Sequence, residues 1–141
     1  MTNTYLNNLR VGITILKMKR VYKEAGSDDG YRILADRLWP RGIAKEKVRI
    51  DYWAKEITPS AVIRKAFNHE AGKFEDFKNA YTYELNTNPH AKEFLHLIAE
   101  KLQAGNVTLL FAAKSETINH VVILKNWIEK NLDFDLTGDE Y

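Results

Sequence analysis

The chain has 141 residues, 45% of them hydrophobic and 28% charged, with a net charge of +2. These totals fit one soluble domain, residues 1–141, with enough chain to bury a core. They are too weakly charged to require nucleic acid or an acidic membrane as partner. There is no cysteine, which excludes disulfides, thiolate catalysis and cysteine-ligated zinc, and fits a reducing compartment.

Residues 1–10 are polar and irregular and read as a loosely held end. The stretch MTNTYLNNLRVGITILKMKR has one cation before a short apolar run and no small-residue cleavage site. That pattern does not match a signal peptide. No apolar run approaches the roughly 18 residues of a membrane span, so a cytoplasmic, non-membrane protein is expected.

From Gly12 to Arg20 apolar and polar positions alternate, as in a strand. AGSDDG at 25–30 is the clearest turn, since Asp and Gly accept unusual backbone angles. A second strand is expected at 31–36. RIDYWAKEI at 49–57 suits both a strand and a helical turn; the extended reading is preferred. In TPSAVIRKAF, Thr58 reads as an N-cap and Pro59 as the first helical residue, where its missing N–H is not needed.

Two amphipathic helices follow. Phe74, Phe77, Tyr81 and Leu85 make one stripe; Ala91, Phe94, Leu95, Ile98 and Leu102 make another, closed by Gly105. These stripes are read as core, with no cofactor role. NVTLLFAA at 106–113 is apolar on both faces, the pattern of an interior strand covered by helices on both sides. KSET then turns the chain into the helix INHVVILKNWIEKNL, and DFDLTGDEY at 133–141 reads as an acidic tail. Strands interleaved with helices in this order predict an α/β layered fold with a mainly parallel sheet. Ligands in such folds bind beyond the carboxyl ends of the strands. Two segments fall there: DRLWPRG and AAKSETINH.

The chain resembles the YeaO-like branch of the domain-of-unknown-function family 488. The resemblance rests on DGYRILADRLWPRGIAKEK at 29–47, DYWAKEITPS at 51–60, Arg64, the Phe77-to-Leu85 run and VTLLFAAKSETINHVVILK at 107–125. It implies a three-layer, Rossmann-like α/β sandwich with helices flanking the sheet, and no established activity. The family pattern falls here on Asp36, Arg37, Trp39, Pro40, Arg41, Lys45, Trp53, Lys55, Lys114, Asn119 and His120. The wider family often carries a Cys-His-Arg triplet after its last strand. Asn119, His120 and Val121 stand there in this chain, so a thiol mechanism cannot apply.

Arg37 and Arg41 present forked donors suited to a phosphate or carboxylate. Asp36 either orients one of them or closes the strand end as a structural ion pair with Arg41. Trp39, Pro40 and Gly42 fit a rigid turn. Lys45 is a solvated loop lysine or, through the family pattern, a ligand contact. Lys55 either snorkels to water from its apolar setting or is functional. Lys114 follows an apolar strand directly, where the fold places its crevice, and Ser115 and Thr117 are candidate caps for the next helix.

Arg37, Arg41, Lys45, Lys55, Lys114 and Asn119 are thus the candidate ligand contacts. His120, with Asp36, is the candidate for proton transfer. His69, His90 and His96 show no metal-ligand spacing, and no G-x-G-x-x-G, P-loop or serine-nucleophile elbow occurs, so a cofactor is left unknown and no nucleotide-binding claim is founded on motifs. The expected partner is a small phosphorylated or carboxylated molecule, bound or acted on by hydrolysis or transfer. The alternative is a nucleic-acid-binding regulatory module. Interleaved acids such as Glu46, Asp51 and Glu56, and the lack of a basic recognition helix, argue against it.

Overall fold

A computed structural model describes residues 14–137; the loosely held end expected at 1–10 lies outside them. The elements are β1 (Leu16–Arg20), β2 (Tyr31–Leu34), β3 (Tyr52–Trp53), α1 (Ala61–Phe67), α2 (Phe74–Thr87), α3 (Ala91–Ala104), β4 (Val107–Phe111) and α4 (His120–Thr137). The strands form one parallel sheet in the order β1-β4-β2-β3. The fold is α/β, a parallel sheet flanked by helices as in a Rossmann-like sandwich.

β4 is central because its sequence can be. All five of its residues, VTLLF, are buried, and a strand paired on both edges and covered on both faces needs such a run. Leu16 to Arg20 pair with Val107 to Phe111 on one side, and Tyr31 to Leu34 pair with Val107 to Leu110 on the other. The register brings the carboxyl ends of β1, β4 and β2 to one edge.

The helices pack together on one face of the sheet. Ile33, Val107, Leu109 and Phe111 meet Phe67 of α1, Phe77, Tyr81 and Leu85 of α2, Phe94 and Ile98 of α3, and Val121, Leu124 and Ile128 of α4. Phe67 stacks on Phe77 with ring centroids 4.4 Å apart. The opposite face is smaller. Leu34, Leu110 and Val21 are covered by Trp39, Ile43, Val48, Ile50 and Trp53, from the segment between β2 and β3 and from β3 itself. That segment contains one 3-10 turn, Lys45–Lys47. The apolar pattern of β4 predicts helices on both sides, but the second cover is this loop: two tryptophans fill area that a helix would otherwise occupy.

Three local expectations are corrected. Residues 49–57 hold both alternatives in sequence, a two-residue strand and then the 3-10 turn Lys55–Ile57. The next helix starts at Ala61 with Ser60 as N-cap, because the Thr58 hydroxyl turns back to donate to the Lys55 carbonyl at 2.6 Å. At the other end, the backbone of α4 stays helical through Thr137, into the segment read as a tail from residue 133. Among the described residues no helix is long and apolar enough to cross a membrane.

Candidate functional site

β2 ends at Leu34, and the chain delivers Ala35, Asp36 and Arg37 to the carboxyl edge of the sheet. Asp36 is held from both sides of that edge. One carboxylate oxygen accepts the Ala112 N–H at 2.8 Å, just past β4. The other lies 3.2 Å from His120 Nε2. The Asp36 carbonyl accepts the indole N–H of Trp53 at 2.7 Å. One residue therefore links β2, β4, β3 and the start of α4. The ion pair expected between Asp36 and Arg41 does not form; the short reach to Ala112 and His120 takes its place.

His120 Nε2 also sits 2.5 Å from the Ala35 carbonyl. A carbonyl only accepts, so Nε2 carries the hydrogen and Nδ1 is the nitrogen left to take up a proton. The Tyr81 ring meets the imidazole edge-on, with centroids 6.4 Å apart. Burial, reinforced by Glu84 and Asp36, pushes the Tyr81 hydroxyl well above its ordinary range. It stays a donor, bonded to the Ile57 carbonyl at 2.7 Å. The two residues proposed for proton transfer are thus in contact, with no described nucleophilic side chain bonded to the imidazole.

Asn119 is buried and acts as the N-cap of α4. Its side-chain oxygen accepts the N–H groups of Val121 and Val122 at 2.8 and 3.0 Å, and its amide donates to the Ser115 carbonyl at 2.8 Å. Ser115, a candidate cap by sequence, instead closes the preceding turn by accepting from Thr117 and Ile118. Replacing Asn119 with Ala removes the acceptor for two helix N–H groups. The expected cost is about 1–2 kcal/mol in urea denaturation.

Of the candidate cations, two come together. Lys45 and Lys55 converge on the tryptophans: Lys55 Nζ lies 4.1 Å from the Trp53 ring centroid, and Lys45 Nζ lies 5.4 Å from Trp39 and 5.9 Å from Trp53. The two indoles meet edge to face at 5.3 Å, and Trp39 donates to the Ile43 carbonyl at 2.6 Å. Both tryptophans are packing residues, and the lysines cover their outer faces. Gly42 turns the loop at φ 81°, and the Arg41 carbonyl accepts the Tyr22 hydroxyl at 2.9 Å.

Arg37 and Lys114 are exposed. Arg37 donates to the Pro59 carbonyl at 3.3 Å, and Arg64 donates to the same oxygen at 3.3 Å. Beside Arg37 lies an open depression of about 330 Å³, lined by polar groups of the segments before α1 and α3 and by α2. Sequence reasoning missed Arg20, the last residue of β1. Its guanidinium donates to the Ala112 and Ala113 carbonyls at 3.0 and 2.8 Å. The available signal was a cation ending a strand.

In sequence each strand therefore ends at or shortly before a cation: Arg20 closes β1, Lys114 follows β4, Arg37 follows β2 and Lys55 follows β3. Among the described residues none of the four forms an ion pair. No group of three or more potential metal ligands occurs among the described residues.

Comparison with known proteins places this geometry in a family. No solved structure matches the chain. It is 45% identical over 113 residues to the uncharacterized protein YeaO of Escherichia coli K12, covering 80% of this chain and 96% of the relative. It is 32% identical over 111 residues to the uncharacterized protein Rv3073c of Mycobacterium tuberculosis H37Rv, covering 79% and 91%. A family model described as "Inactive DUF488-N3 subclade" matches residues 15–140, and the chain belongs to that YeaO-like family.

Proposed function

We propose that the protein binds a small phosphorylated or carboxylated molecule along the carboxyl edge of its sheet, without covalent chemistry. The observation that carries this reading is the row of cations at the strand ends, Arg20, Lys114, Arg37 and Lys55, none of them ion-paired among the described residues. Neighbouring strands lie about 4.8 Å apart, so the row spans roughly 15 Å, the length of a small ligand with more than one anionic group. Folds of this class bind ligands at this edge.

Binding is favoured over turnover for two reasons. The family is described as inactive. In this chain Asn119 stands where relatives often carry cysteine, and it is buried in helix capping. The Asp36–His120 contact then serves to hold the edge together.

Thermal unfolding against phosphate, sulfate, sugar phosphates, nucleotides and carboxylic acids tests the reading. A ligand at a hundred times its dissociation constant adds about 2.7 kcal/mol, several degrees in melting temperature for a domain of this size. The expected outcome is a shift for one anion class that Lys114→Ala and Arg37→Ala both diminish. If no anion shifts the wild-type protein, the reading fails. Single-stranded oligonucleotides are run beside this panel, and a shift confined to them would favour the nucleic-acid alternative.

A further inference from the structure

The depression beside Arg37 contains both signs of charge. Arg37 lies in its lining, as do Glu56 and Glu84. Among the described residues, none of these three groups is ion-paired with another or with any other side chain. Complementary charges that share a depression without pairing offer a ligand contacts of both signs.

The carboxylates are fixed by neutral donors. Glu84 accepts the Ser60 N–H at 3.0 Å on one oxygen and the Ser60 hydroxyl at 2.6 Å on the other. A carboxylate oxygen has two acceptor positions, so each keeps one open. Glu56 accepts the Tyr52 hydroxyl on one oxygen. Burial, together with that hydrogen bond, pushes the Tyr52 hydroxyl up to about 12, so it remains a donor through the neutral range. Asn88 braces the same wall by donating to the Glu56 carbonyl at 2.8 Å while its own side-chain oxygen accepts the His90 N–H at 2.8 Å. The negative side of the depression is therefore held in place without consuming its charge. On the positive side, among the described residues, the guanidinium donates only to the Pro59 carbonyl.

We propose that this depression binds a small zwitterion, an amine-bearing carboxylic acid of the size of a free amino acid, with its carboxylate on Arg37 and its ammonium between Glu56 and Glu84. Within the depression a ligand that carries both charges meets an opposite charge at each end, which a bare anion on Arg37 does not. A volume of about 330 Å³ suits such a ligand. The inference rests on the carboxyl-edge reading, since Arg37 belongs to both, and it adds the requirement for an amine.

Calorimetric titration with free L-amino acids, each beside its N-acetyl and carboxamide derivatives, tests it. The expected result is that at least one free amino acid binds, with both derivatives at least tenfold weaker. Arg37→Gln should then abolish the preference for acid over carboxamide. Glu84→Gln and Glu56→Gln should each reduce the preference for free amine over N-acetyl. Circular dichroism checks that the variants fold, and having two glutamate variants guards against one of them disturbing Ser60. If an N-acetyl derivative binds as tightly as its parent, the amine requirement is overturned while the anion reading stands. If no amino acid binds but an anion from the earlier panel does, the zwitterion proposal alone fails. If neither set binds, both fail.

Discussion

Asp29→Asn is expected to destabilise the fold by about 3 kcal/mol at pH 7, measured by urea denaturation, and to flatten its acid dependence. Asp29 is fully buried, and Arg32 beside it is 1% exposed. The two form an ion pair, and Lys19 reaches the same carboxylate at 2.9 Å. The Gly26 N–H adds a further donor at 3.0 Å. Removing the charge leaves Arg32 buried without its counter-ion, the costly way to break such a pair. Burial alone pushes the Asp29 carboxyl up, but Gly26, Lys19 and Arg32 outweigh it and hold the group down at about 2. A carboxyl depressed in the folded state binds its proton more readily when unfolded. Its stabilisation is therefore fully present above the unfolded value near 3.8 and is lost as pH falls through about 2. The shift corresponds to about 2 kcal/mol. Wild type and variant should converge below pH 2; a constant difference from pH 7 to pH 2 would contradict the role assigned to the charge.

Gly30→Ala carries a comparable penalty for a different reason. Gly30 adopts φ +67°, and a Cβ built there would lie 2.0 Å from the Asn106 carbonyl oxygen. That oxygen accepts the Tyr31 N–H at 2.9 Å and belongs to the residue that leads into β4. The obstruction is backbone at the entry to a paired strand, which cannot rotate aside as a side-chain tip would. The left-handed conformation and the overpacking together should cost about 3 kcal/mol. Gly42→Ala is the control: Gly42 also has a positive φ, but nothing lies within 4 Å of its Cβ position, so only the conformational part, about 1 kcal/mol, applies. Equal melting temperatures for the two variants would rule out the close-approach argument.

Much of this fold was legible from periodicity. The stripe Phe77, Tyr81, Leu85 is buried as expected on α2, and Phe94, Leu95 and Ile98 are buried on α3. The all-apolar run at 107–111 is the central strand. What periodicity could not supply were choices settled by distant partners. Ser115, Thr117 and Asn119 are all plausible caps within a few residues. Asn119 takes the role where α4 must start so that His120 reaches the Ala35 carbonyl, 85 residues away in sequence. Pro59 looks like the opening of a helix, yet it precedes α1, and its carbonyl accepts the side chains of Arg37, after β2, and of Arg64, within α1. Asp36 and His120 could each be singled out from the sequence, but their contact is a product of sheet order, which local spacing does not encode. Arg20 was overlooked because a terminal strand residue has no motif around it.

The sheet order also bears on how the chain assembles. β4, the strand that joins β1 to β2, is the last to be synthesised, and Ile15 waits for Asn106 across 91 residues. At ribosomal rates of about 5–20 residues per second, β1 remains unpaired with β4 for roughly 5–20 seconds after it is made. High contact order of this kind slows folding, since a long loop must close before the β1–β4 pairing repays the lost entropy. Until residue 111 is free of the ribosomal tunnel, β2 and β3 are the only strands of this sheet with a partner to pair with, and the cationic edge is complete only then.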